Sequence, residues 1–336
     1  MSIPNNVTSQ EVGGFKVYEY GYSLDNSAQK DRFKTIIKDN IMSVYNKPET
    51  PDPVKEFESL LVKNNIDYTE NITIGEDTFN FKIGENTLIS IISYMEYNTV
   101  WSPIFENGAS NTQHSDKSKR AEKEGYHVIH VFDWDNKENI VKSLLSSRNK
   151  IYARNTEVSG ISRPEMVDFL KEYHLQGTCN GQSIYIGLRD KFGELVSLMT
   201  FGKPRYNKNY QYELIRYCSS RNVIGGSEKI FKHFIQEYDP ESIISYCDMG
   251  KFSGDVYIKL GFNLKSSNNP SKHWYCPTIE KRNHITDNFL RQRGYDQLFN
   301  EHYGRGTSNE ELMIAKGYFP VCDAGQNTYE WHKPKN

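Results

Sequence analysis

At 336 residues, with 37% hydrophobic and 13% aromatic residues, the chain is longer than one compact core needs and apolar enough to fill two. Its net charge of −2 hides an asymmetry, because the first 110 residues carry −7 and the remainder +5. The opening segment as a whole is thus a poor phosphate-docking face and the later part a permissive one, while the lack of a basic-then-apolar leader or a long apolar run argues for a cytoplasmic protein with no membrane segment.

In chain order, residues 15–45 hold YEYGYSLDN and then a lysine-bearing helical pattern, DRFKTIIKDNIMSVY. The proline-rich NKPETPDP reads as a linker, and PVKEFESLLVKN over 53–64 as an amphipathic helix with Pro53 at its start. Strand patterns follow at DTFNFKIG (77–84) and from Thr87 in TLISIISYM. A polar helix, SDKSKRAEKEG, ends at Gly125 and leads into the strand pattern YHVIHVF (126–132), and a further helix is expected over 137–148. From Ile151 the pattern restarts. SRPEMVDFLKEYH predicts a helix, SIYIGLR with ELVSLMTFG a hairpin, and YQYELIRYCS a strand. VIGGSEKIFKHFIQEY is a turn entering a helix, then come the strand SIISYCD and the segment DVYIKLGF. The tail from Lys281 is mixed, with a terminal hairpin expected across AGQN.

This order divides the chain into a 1–50 extension, whose YEYGYSLDNSAQKDRFKT resembles short DNA-binding modules that precede some nucleases, an α/β domain over 51–150, a mixed-sheet domain over 151–280 and an extension over 281–336. Cys179, Cys218, Cys247, Cys276 and Cys322 stand far apart without a CxxC pair, as expected of reduced thiols.

The turn Val223, Ile224, Gly225, Gly226, Ser227 combines small residues with a helix start. Unpaired first-turn amides and the helix dipole make such a turn an anion cradle, or it is only a tight turn. The succeeding SIISYCD and Tyr257, Leu260, Gly261 and Phe262 of VYIKLGF resemble the closing half of the Gcn5-related acetyltransferase fold. That resemblance implies a splayed strand pair and acyl-coenzyme A binding at the glycine turn, where Gly225 and Ser227 fit the phosphate signature and Asn222 departs from it.

A wider resemblance runs through ELVSLMTFGKPRYNKNYQYELIRYC, VIGGSEKIFKHFI, SIISYCDMGKFSGDVYIKLGF and GYFPVCDAGQNTYEW. These segments look like phage-encoded homing endonucleases that join a very-short-patch-repair-type, restriction-endonuclease-like nuclease domain to an acetyltransferase-like, Mom-like module. Upstream, Lys117, Lys119, Glu124, Gly125, Ile129, His130 and Phe132 fit the family's helix-plus-strand segment. The resemblance implies an α+β protein and a carboxylate site holding Mg²⁺ for phosphodiester cleavage. Glu56 matches the opening-helix acid, the central acid position falls on Asn80, and Asp133 and Asp135 follow the third strand. Ile91 or Ile92 stands where the second strand often carries an acid, and Ser102 follows Trp101 where the family has His. A neutral amide is a poor ligand for a hard cation, so the site reads as eroded. Glu56 and Asp133 remain as metal ligands, with Asp77, Glu85 or Glu96 as substitutes under a shifted alignment.

For nucleic acid, Lys203, Arg205, Tyr206 and Lys208 in GKPRYNKNYQY interleave basic and aromatic side chains, with Tyr210 beside them. Lys117 is a further phosphate candidate, although SDKSKRAEKE by itself predicts a solvated helix face. One of His127 and His130 is expected to be a packed core residue. The leading expectation is a DNA-associated protein of homing-endonuclease descent. Three alternatives stand beside it: an active Mg²⁺-dependent endonuclease, an acyl-coenzyme A-dependent transferase, and a scaffold binding a host protein through the acidic opening segment.

Overall fold

The computed structural model describes residues 7–12, 15–20, 52–94, 112–146, 150–277, 282–300, 309, 312–313 and 316–334. Among them are eight helices and several sheets, a mixed α+β architecture, and no helix long and apolar enough to cross a membrane. The helical pattern of residues 30–45, Trp101 and Ser102 lie outside the described residues. Near the N-terminus, β1 (Val7–Val12) and β2 (Phe15–Tyr20) pair antiparallel.

Contacts sort the chain into two compact units that interleave in sequence. The first comprises Met1–Glu56, Thr69–Asp135 and Asn269–Gly325, and the second Phe57–Tyr68, Asn136–Asn268 and Gln326–Asn336. Residues 269–325, which the linear reading splits between the 151–280 domain and the 281–336 extension, therefore group with residues 69–135.

In the first unit β3 (Tyr68–Ile74), β4 (Asp77–Ile83), β5 (Thr87–Ile92) and β6 (His127–Phe132) form a sheet in that order, with β4 antiparallel and β6 parallel to β5. Both β5 and β6 are buried almost throughout, as the central strands of a covered sheet must be. Helix α1 (Pro53–Lys63) precedes the sheet in the chain. Helix α2 (Gln113–Lys123) joins the parallel pair and packs Ala121 onto Phe79, Leu88 and Val128. Gly125 closes it at φ +84°, a conformation L side chains avoid. A second small sheet, β15 (Lys272–Tyr275) between β16 (His284–Thr286) and β17 (Phe319–Cys322), contributes Val321 to a cluster with Ile92, Tyr94 and Phe132.

In the second unit, α3 (Lys137–Ser146) leads to a short parallel pair of β7 (Lys150–Tyr152) with β12 (Asn222–Ile224). The main sheet has seven strands in the order β14, β18, β13, β11, β10, β9, β8. They span Asn263–Asn268, Gln326–His332, Ser242–Asp248, Tyr212–Ser219, Leu195–Gly202, Gln182–Arg189 and Glu157–Gly160 respectively. Helix α4 (Arg163–Tyr173), capped by Ser162, covers one face with Met166, Phe169 and Leu170. On the other core lies α5 (Gly226–Tyr238), with Phe234 stacked on Phe201 at 3.6 Å between centroids. Each such buried aromatic or aliphatic side chain stabilises by about 1.5–3 kcal/mol. A short helix α6 (Asp255–Lys259) precedes β14.

One sequence expectation fails here. The strands flanking AGQN, β17 and β18, do not form a hairpin but belong to different sheets. Strand β18 instead pairs antiparallel with β13 over Ser242–Asp248 and with β14 on its other side. Asp323 explains the break: its Oδ1 accepts from the amides of Ser271 and Gly325, at 2.8 Å each, so local bonding turns the chain out of ladder register.

Candidate functional site

The positions that the sequence reading proposed for a metal site lie on the first unit's sheet and its rim. The Asn80 Oδ1, on β4, accepts from the Ile91 amide at 2.7 Å, where the β4–β5 ladder has run out of backbone partners. The Asp133 Oδ2, just beyond β6, accepts from the Tyr94 amide at 2.5 Å. The Asp135 Oδ2 accepts from the Phe132 amide at 2.8 Å and closes the turn. Lys117 on α2 donates to Thr78 O at 2.7 Å and Ser90 Oγ at 2.9 Å, with its ammonium 4.5 Å from the Phe79 ring centre.

Glu56 stands in the first turn of α1. It and Asp133 share a neighbour in Tyr275, whose phenol is pushed up chiefly by burial, then by Asp133 and more weakly by Glu56. Asn80 lies at the end of the β4–β5 ladder, where Lys117 reaches Thr78 and Ser90 from α2. Among the described residues no three His, Cys, Asp or Glu side chains come together as a metal-holding group. Asp77 is held below the usual carboxylate range by Arg120, which contacts it at 2.7 and 2.8 Å, Glu85 lies in the β4–β5 turn, and Glu96 is outside the described residues.

Helix α2 presents Lys119, Arg120, Glu122 and Lys123 to solvent, as expected of SDKSKRAEKE, while its other face buries His114, Ser115, Ser118 and Ala121. The spacing 114, 118, 121 is a helical stripe, but of small and polar residues, so hydropathy does not flag it. His130 is the packed histidine, 0% exposed, with Nε2 2.8 Å from Ser118 Oγ. His114 is 5% exposed, and neither ring nitrogen has a hydrogen-bond partner. Burial, and then the Lys117 charge, hold it down to about 4, against an opposing pull from Asp323.

In the second unit the glycine turn has the expected shape. Gly225 adopts φ +76° directly before the 13-residue α5, and a Cβ on Gly226 would come within 2.9 Å of Val223. Its chemistry is less suited to an anion. Ser227 is buried and donates to Glu228 Oε2 at 2.7 Å, so a carboxylate occupies the first turn. Lys229 is turned to Ala153 O, at 2.9 Å, and to Thr156 O. Ile224, at 42% exposed, flanks the turn and Val223 is buried.

Strands β11 and β13 pair over only three residues, Tyr212–Leu214 with Ile243–Ser245, and then diverge. The loop after α4 bridges the gap. Arg216 Nε donates to Gly177 O at 3.1 Å, and Gln176 Nε2 to Asp248 Oδ2 at 2.8 Å.

The proposed nucleic-acid loop joins β10 to β11. Arg205 faces inward: its Nε and Nη2 donate to Glu213 Oε1 at 2.9 and 2.6 Å, and its amide to Oε2 at 2.7 Å. Glu213 is 0% exposed, so this buried pair braces the loop rather than offering a cation to solvent. Lys203 and Lys208 are exposed, and Tyr206 is 66% exposed with its ring edge-on to Tyr246. Lys208 also donates to Pro204 O. Tyr210 is buried against Glu330 and Lys265. No protein-family model matches this chain, and no curated protein sequence matches it.

Proposed function

We propose that the protein is a DNA-associated protein of homing-endonuclease type whose nuclease-like first unit does not cut DNA and whose second unit contacts it. The observation that carries this reading is the use made of the site positions. Asn80, Asp133 and Asp135 each tie down a backbone amide and Lys117 a backbone carbonyl. A neutral amide occupies the central position, and hydrolysis by Mg²⁺ needs clustered anionic oxygens there. Contact with DNA falls to the braced β10–β11 loop, where Lys203 and Lys208 meet phosphate and Tyr206 offers a ring for stacking.

The test is a gel-shift titration across salt concentrations. The unaltered chain should bind duplex or single-stranded DNA with affinity falling steeply as salt rises. Lys203→Ala with Lys208→Ala should flatten the salt slope by about 2, roughly one per lost phosphate contact. Binding that is absent, or unchanged by both substitutions, contradicts the proposal.

A further inference from the structure

Within the first unit, β15 places His273 beside β16 and β17, and three ionisable side chains join in a line. The Asp323 Oδ2 lies 3.0 Å from His273 Nε2, and His273 Nδ1 lies 2.8 Å from His284 Nε2. The two imidazoles are nearly coplanar, 4° apart, and lie flat under the Trp134 indole, which is 4.1 Å from His284 and 5.1 Å from His273. The other face of Trp134 stacks on Phe132 at 4.7 Å. These contacts lock both rings against rotation.

The hydrogen-bond order fixes the protons. A carboxylate accepts only, so His273 donates to Asp323 from Nε2 and holds a lone pair on Nδ1. His284 then donates from Nε2, leaving the lone pair of its own Nδ1 pointing away from the chain of bonds. Among the described residues that nitrogen has no hydrogen-bond partner, and the residue is only half-buried.

We propose that Asp323, His273 and His284 form a proton relay ending in a nucleophilic nitrogen, Nδ1 of His284, which takes acyl-type electrophiles. Burial beside His273 holds His284 down to about 3, so a positive charge confined to this ring is poorly tolerated. The relay removes it. As the Nδ1–carbon bond forms and the bond to the leaving group breaks, the Nε2 proton passes to His273 Nδ1. The positive charge then rests beside Asp323, in the manner of a histidine supported by a carboxylate. His114 is the further titratable group that feels Asp323, and burial keeps it neutral.

The full-length protein, labelled with nitrogen-15, tests the proton order first. Neutral His284 should appear with its hydrogen on Nε2, and a hydrogen on Nδ1 overturns the relay. Substoichiometric diethyl pyrocarbonate with peptide mapping then tests reactivity. His284 should be modified ahead of His332, although the His332 side chain is 59% exposed. Asp323→Asn should slow modification of His284 about tenfold, the scale on which a supporting carboxylate acts on a histidine. Modification of His332 first, or no slowing in Asp323→Asn, contradicts the proposal. The tautomer of the unaltered chain decides it even if that variant fails to fold.

Discussion

Helices α2 and α5 each cover a central sheet, but they cover it with different chemistry. Helix α5 lays Ile230, Phe231 and Phe234 on the second unit's apolar core. Helix α2 lays His114, Ser115 and Ser118 against the first unit's sheet, with Ala121 the only apolar residue among its buried positions. An apolar interface stabilises in proportion to the area removed from water. A polar one depends on every group finding a partner, and a buried group without one costs about 1–3 kcal/mol. The second unit meets that condition around Arg205 and Glu213, and the first leaves His114 unmet.

The largest effect that follows is in the second unit. Arg205→Ala strands the carboxylate of Glu213 and should cost about 3 kcal/mol in urea unfolding. Arg205→Ala with Glu213→Leu should recover most of that loss. A single-variant cost below about 1 kcal/mol would show that the pair does not brace the loop.

Acid separates the units next. Burial holds His114 at about 4 and His284 at about 3 in the first unit, and His174 at about 3 in the second, all below the ordinary 6.5. The unfolded chain therefore binds protons that the folded chain does not. Stability is complete above pH 6.5 and falls as pH drops below it, by about 1.4 kcal/mol per histidine per pH unit. Hydrogen exchange between about pH 7.5 and about pH 5, corrected for intrinsic rates, should show a larger loss in the first unit than in the second, since two of the three histidines lie there. Equal losses contradict the assignment.

A smaller effect runs in the opposite direction. His114→Leu removes two unpartnered nitrogens and should stabilise the first unit by about 1 kcal/mol. A loss of comparable size would mean that His114 has a partner. Smallest of all is the glycine turn. With Glu228 in its first turn, acetyl-coenzyme A should give no thermal shift, whereas a ligand at a hundredfold its dissociation constant adds about 2.7 kcal/mol.

The sequence shows the apolar, periodic elements of both units. TLISII and HVIHVF in the first, and LVSLMTFG and the helix entered through Gly225 in the second, appear where their patterns place them. It hides β14, whose residues are exposed throughout, and the tail, where Asp323 breaks a hairpin that AGQN suggests. At the site, Asn80 and Asp133 were legible as positions but not as partners, because the amides they hold come from residues 11 and 39 positions away. The Asp323–His273–His284 line spans 50 residues and no local spacing announces it.

The central claim, a protein that binds DNA through its β10–β11 loop and does not cut it, is tested most directly by incubating the protein with supercoiled plasmid and Mg²⁺ under conditions where binding is measured in parallel. The account predicts salt-sensitive binding with no nicked or linear product. Mg²⁺-dependent cleavage by the unaltered chain, abolished by Glu56→Ala with binding retained, would contradict it.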